Sequence, residues 1–99
     1  MKVAITGKHI EIGDALRLHV TERLENGISK YFSDPLEAHV TFSHEGPFYR
    51  SRISVHIGRG MTMESSADAA DIYEAFNAAV DHAEKQARRQ KRWIRNKRA

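Results

Sequence analysis

From Lys2 to Lys8 apolar and polar positions alternate, with Val3 and Ile5 on one side and Lys2, Ala4 and Thr6 on the other. That period predicts a half-buried strand. Over Asp14 to Phe32 the spacing changes: Leu16, Val20, Leu24, Ile28 and Tyr31 recur every three or four residues, which predicts an amphipathic helix. Asp14 suits the first turn of that helix, where the dipole favours negative charge, and Gly13 is a weak N-cap. Gly27 costs about 1 kcal/mol relative to Ala inside a helix, so the last turn is expected to fray. Ser33-Asp34-Pro35 stops the helix, because proline cannot continue it. His19, Arg23, Asn26 and Lys30 form a second stripe beside the apolar one.

Alternation returns from Leu36 to Ser43, with Leu36, Ala38, Val40 and Phe42 against Glu37, His39, Thr41 and Ser43. Glu45-Gly46-Pro47 reads as a turn or a longer loop. Tyr49 to Ile57 is a third strand, with Ile53, Val55 and Ile57 inward. Gly58-Arg59-Gly60 is a hairpin connection, and Met61 to Ser66 is a fourth, weaker strand. From about Asp68 the period becomes 3.6, and Ile72, Phe76, Ala79, Val80, Ala83 and Ala87 share one face of a long helix.

The element order is β-α-β-β-β-α. Each strand has one apolar face and each helix one apolar stripe. The arrangement that buries them all is an α+β fold: a four-stranded sheet, both helices packed on one face and the other face in water. Ninety-nine residues make one domain, 1–99.

Charge sharpens this picture. Of sixteen Lys and Arg in the chain, eight lie between Lys85 and Ala99, a segment with no Asp or Glu. All thirteen acidic residues therefore lie in the first 84 positions. A body of −5 is joined to a segment of +8, giving the net +3. Like charges at i, i+3 and i+4 repel, so such a cluster points to a polyanion, and nucleic-acid phosphate is the first to consider. Lys85, Arg88, Arg89, Arg92 and Arg95 are expected to carry most phosphate contacts, with Lys91, Lys97 and Arg98 extending them. Trp93 could tether the helix end or stack on a base, and packing at the helix end is the expectation. Earlier on the same polar face stand Asp71, Glu74 and Asp81, and Asp81–Lys85 and Glu84–Arg88 are favourable i, i+4 pairs. Arg23 and Lys30, on the flanking stripe of the first helix, would widen the positive surface if that stripe borders the second helix.

Other chemistries find little support. The exposed sheet positions carry no aromatic residue, which argues against base stacking of the RNA-recognition-motif kind. The six histidines are scattered without metal-ligand spacing, so no metal or cofactor is expected. There is no phosphate-cradling glycine loop ahead of a helix and no triad pattern, so no catalysis is expected. The absence of cysteine fits a reducing cytoplasm, and no apolar run approaches the ~20 residues of a membrane span.

Three stretches carry a family resemblance. They are Met1 to Arg17 (MKVAITGKHIEIGDALR), Val20 to Leu24 followed by Lys30-Tyr31-Phe32, and Asp71 to Phe76 leading into Glu84 to Lys91. Together they resemble the ribosome hibernation-promoting factors and ribosome-associated translation inhibitors over nearly the whole chain. The resemblance implies a fold similar to double-stranded RNA-binding domains, with no catalytic activity. It implies binding to the small ribosomal subunit and its rRNA in the intact ribosome, in the channel that holds mRNA and tRNA. The positions matching the family's basic surface are Arg23, Lys30, Lys85, Arg88, Arg89, Lys91 and Arg92. Long forms of the family add a second domain that pairs ribosomes. The chain is therefore expected to be a short form, or the N-terminal part of a long form whose partner is a C-terminal dimerisation domain or a separate dimerising factor. Two alternatives remain open: a general double-stranded RNA binder, and a modulator whose basic tail docks an acidic protein.

Overall fold

The computed structural model describes residues 1–32, 35–58 and 60–97, with the side chains of 35–36 and 93–97 outside that description. Six elements follow in order: β1 (Lys2–Gly7), α1 (Asp14–Ile28), β2 (Pro35–Glu45), β3 (Phe48–Ile57), β4 (Met61–Ala69) and α2 (Ile72–Lys97). They form one four-stranded sheet in the order β1-β2-β3-β4. β1 runs parallel to β2 with Ile5 opposite Val40, so α1 is the crossover between them. β2, β3 and β4 form an antiparallel meander. The α+β layout expected from periodicity is the layout observed.

Alternation dictates which side of the sheet is dry. Ala38, Val40 and Phe42 of β2, Ile53, Val55 and Ile57 of β3 and Met63 of β4 are buried. They meet Leu16, Val20, Leu24 and Ile28 of α1 and Phe76, Ala79, Val80, Ala83 and Ala87 of α2 in a single cluster. Both helices therefore cover one face. The rings of Phe42 and Phe76 lie 6.1 Å apart, joining sheet and helix layers at the centre.

Connections account for the ends of the elements. At Gly7 an added Cβ would overlap the carbonyl oxygen of Ile10, so only glycine lets the chain fold back there after β1. Between β2 and β3 the connection is two residues, Gly46-Pro47, with Glu45 paired to Phe48. Gly46 has φ 60, the positive φ that a two-residue hairpin requires at its first central position before proline. This is the tighter of the two connections expected from the sequence.

Two boundaries differ from expectation. The fourth strand continues to Ala69, with Ala67, Asp68 and Ala69 opposite Ser51, Arg50 and Tyr49. Accordingly α2 begins at Ile72 and not near Asp68. Asp71 is its N-cap: its carboxylate accepts the Glu74 N–H at 3.2 Å, and its carbonyl accepts the Ala75 N–H at 3.0 Å. The first helix is also shorter, ending at Ile28. The chain then continues in a turn in which the N–H groups of Tyr31 and Phe32 both reach the Ile28 carbonyl.

Along its length α2 also covers the outer edge of β4. The Gln86 side-chain amide donates to the Glu64 carbonyl at 2.7 Å. One turn earlier, the His82 ring lies 3.3 Å from the Ser66 carbonyl. Ser65 donates in the other direction, to the Ala79 carbonyl at 2.8 Å. A bare edge would be a template for pairing with another chain, and the Gln86 and His82 side chains sit on two of its carbonyls.

Candidate nucleic-acid interface

The 26 residues of α2 at 1.5 Å rise make a rod of about 39 Å, most of the molecule's 47 Å long axis. Ala87 is the last buried residue of the helix among those whose side chains are described. On the remaining arc, Lys85, Arg88, Arg89 and Arg92 are exposed and Lys91 is half-buried. Among the described residues, no acidic side chain lies within ion-pairing distance of any of these five cations. The side chains of Arg95, Trp93 and Lys97, and all of Arg98, lie outside the described residues.

The seam between α1 and α2 fixes where Lys30 sits. His19 Nε2 lies 2.8 Å from Asn77 Oδ1, and its ring packs on Tyr73 and edge-on against Phe76. One turn further along α1, Arg23 meets Asp81 at 2.9 Å and also Glu84. As α1 advances, its partners on α2 advance too, so the two helices run parallel. Lys30, exposed just beyond α1, is consequently carried toward the same end of the molecule as Lys85 to Arg92.

Arg23 is placed differently from that cation set. The flanking stripe of α1 does border α2, but it meets the acidic part of that helix. One Nη of Arg23 binds Glu84 and the other binds Asp81. These two acids were expected to pair with Arg88 and Lys85 one turn on. They turn instead toward α1.

Opposite the helices, the sheet presents its polar side. Rows run across it in register: His39, Ser54 and Glu64 in one, Thr41, Arg52 and Ser66 in the next. These six residues line a shallow depression that contains no Phe, Tyr or Trp. A platform for base stacking is thus missing from it. In the neighbouring row Arg50 makes a two-pronged contact with Asp68, at 2.8 and 3.1 Å, and Glu45 lies 3.6 Å away. The hydrogen bond from Arg50 holds the Asp68 carboxyl below the usual carboxylate range, and the Asp68 hydrogen bond and charge raise the Arg50 pKa. Arg50 is thereby tied within the sheet face. His39, 60% exposed, lies 3.7 Å from Glu37, and His56 lies 3.3 Å from Thr62. Among the described residues there is no group of three or more potential metal ligands, and no helix long and apolar enough to cross a membrane.

Two parts of this arrangement escaped sequence reasoning. The Asp71-Ile72-Tyr73-Glu74 pattern is a capping signature visible in the sequence, and it would have placed the helix start correctly. The pairing of Arg23 with two acids some sixty positions away has no local signal.

Known proteins share both sequence and fold with this chain. The ribosome hibernation promotion factor of Rhizobium meliloti is 32% identical over 96 residues, which is 97% of this chain and 50% of that protein. Its counterpart in Bradyrhizobium diazoefficiens is 32% identical over 99 residues, all of this chain and 49% of that protein. The chain thus spans about half the length of these two curated relatives. The ribosome hibernation promoting factor of Escherichia coli is 29% identical over 91 residues, covering 92% of this chain and 94% of that protein. Among solved structures, the N-terminal domain of Thermus thermophilus Protein Y superposes with a TM-score of 0.81 at 32% identity, over 90% of this chain and 98% of that one. A ribosomal subunit interface protein from Coxiella burnetii shares the fold, with a TM-score of 0.76 at 21% identity over 92% of this chain and 98% of that one. Residues 3–95 match the family described as Sigma 54 modulation protein / S30EA ribosomal protein, and this chain belongs to that family.

Proposed function

We propose that this domain is a ribosome hibernation factor: it binds the small ribosomal subunit through rRNA phosphates, fills part of the mRNA and tRNA channel and stops translation reversibly. The observation that carries the reading is the set of cations on the second half of α2. Lys85, Arg88, Arg89, Lys91 and Arg92 stand together without a neutralising acid among the described residues, and Lys30 approaches the same end. Arg95 extends the set in sequence. Family membership and the names of the relatives support the ribosome as the source of the phosphates. The aromatic-free sheet depression favours backbone contact over base stacking.

Counterion release makes the reading measurable. Six phosphate contacts give a slope of log affinity against log salt of roughly −4 to −5, and a loss on the order of a thousandfold between 50 and 200 mM salt. The test is co-sedimentation of the protein with purified ribosomes and separated subunits, with long duplex RNA as competitor. The expected result is saturable binding near one per small subunit, unmoved by duplex RNA and abolished in the K85A/R88A/R89A/R92A variant. Binding erased by any duplex RNA, or retained by that variant at equal salt, overturns it. The same gradient reports whether ribosomes pair.

A further inference from the structure

Arg23 stands out from the cations around it because both arms of its guanidinium are engaged by carboxylates of another helix. Asp81 and Glu84 are the last acidic residues before the basic segment, and Lys85 follows Glu84 directly. The Glu84 side chain is only 15% exposed and that of Arg23 34%, so this contact is a covered one. It is also built for: a Cβ on Gly27 would come within 2.8 Å of Glu84 Oε2 and 3.4 Å of the Arg23 guanidinium. A glycine in the last turn of a helix gives up helix propensity, and here it makes the room that the pair occupies. A phosphate approaching Arg23 would meet two carboxylates already in place, which disfavours direct contact.

We infer that Arg23 is a positioning residue. Its guanidinium ties α1 to the turn of α2 immediately before the basic segment, so the direction in which Lys85 to Arg92 leave the body is set before any polyanion arrives. The location matters because Ala87 is the last buried residue of α2 among those whose side chains are described, and none of residues 88–92 is buried. Over residues 88–92 its heading depends on how the preceding turn is anchored, by Arg23 to α1 and by Gln86 to the Glu64 carbonyl of β4. A cation array with a fixed heading loses less conformational freedom on binding than one that must be ordered by its target. His19 with Asn77 anchors the same seam one turn earlier, so removing Arg23 loosens the far half of α2 and leaves the near half in place. What the segment binds rests on the function proposed above; the positioning itself does not.

The test has two arms. The chain has no cysteine, so spin labels at Glu22→Cys and Arg92→Cys report the distance between α1 and the basic segment in the free protein by pulsed electron resonance. The expected result is a narrow distribution that broadens in Arg23→Gln and in Glu84→Gln, and narrows again in the charge-swapped R23E/E84R. A distribution equally narrow in Arg23→Gln overturns the inference. In the second arm, unlabelled protein is titrated onto ribosomes over a salt series. Arg23→Gln should weaken binding between roughly twofold and thirtyfold with an unchanged salt slope, and R23E/E84R should recover the affinity. A slope reduced by about one, as expected for Arg88→Ala, makes Arg23 a phosphate contact and overturns the positioning role. If wild-type protein fails to bind ribosomes, the proposed function falls while the distance measurement still decides the inference.

Discussion

A methyl group added at Gly27 would lie 2.8 Å from Oε2 and 3.0 Å from Cδ of Glu84. Two effects then compete. Alanine gains at most about 1 kcal/mol of helix propensity over glycine, the helix-interior value, and less at this second-last residue of α1, but it displaces a carboxylate that Arg23 holds. Taken as an isolated helix, α1 should be stabilised by Gly27→Ala; taken in this fold, it should not. The expected outcome is a change near zero or a loss of up to about 1 kcal/mol in the wild-type background, and a gain of up to about 1 kcal/mol when Glu84 is already alanine. Urea unfolding of the four proteins closes the cycle. An equal effect of Gly27→Ala in both backgrounds would show that the glycine is not there to admit Glu84. Position 27 also marks where sequence reasoning stopped short: the cost of a glycine in the last turn was legible, while its reason lay on the other helix.

At the scale of elements, the strands and helices were legible wherever one periodicity ran unopposed. The alternation of Ala38, Val40 and Phe42 or of Ile53, Val55 and Ile57 leaves only one face to bury, and these residues are the core. Boundaries were lost where two signals overlapped. Ala67, Asp68, Ala69 and Ala70 suit a helix by composition, yet pairing with Tyr49, Arg50 and Ser51 keeps the first three in β4. The two-pronged Arg50–Asp68 contact adds to that pairing, and neither partner is local. What begins α2 is Asp71. Its carboxylate satisfies one of the N–H groups that every helix start leaves without a partner. Asp71→Ala should cost about 1 kcal/mol, and Asp71→Asn much less, since asparagine caps as well as aspartate. Thermal unfolding of both variants tests this. An equal loss in the two would assign the effect to charge at the helix end, not to the cap. The basic segment from Lys85 onward was legible from composition alone, because eight cations without an acid are visible before any fold is known. The contacts beside that segment were not, because Arg23 with Asp81 and Glu84, and Gln86 with Glu64, join residues far apart in sequence.

Across the whole molecule, charge is distributed in a way that folding does not require. On the sheet face Arg50 is paired locally with Asp68 and Glu45. The α1–α2 seam sets one cation against two acids. Only the far half of α2 collects cations without counter-charge among the described residues. Lys85 with Arg88 and Arg89, Arg88 with Lys91 and Arg92, and Arg89 with Arg92 are all spaced at i+3 or i+4, where like charges destabilise by about 0.2–0.5 kcal/mol a pair. A helix chosen for stability alone would break up this array. The K85A/R88A/R89A/R92A variant therefore has a second expected property besides loss of binding. Removing repulsion and adding alanine should outweigh the weaker dipole interaction at the helix end, leaving the free protein more stable by roughly 1 kcal/mol. For a domain of this size that raises the melting temperature by about 4–8 °C. Calorimetry at low salt reads it most clearly, and added salt should shrink the difference, because exposed charges are screened. A variant that binds nothing and melts lower would mean that the cations hold the fold together, and their loss would then say little about binding. One that binds nothing and melts higher would show these residues held against the helix's own stability, the trade expected of a binding surface.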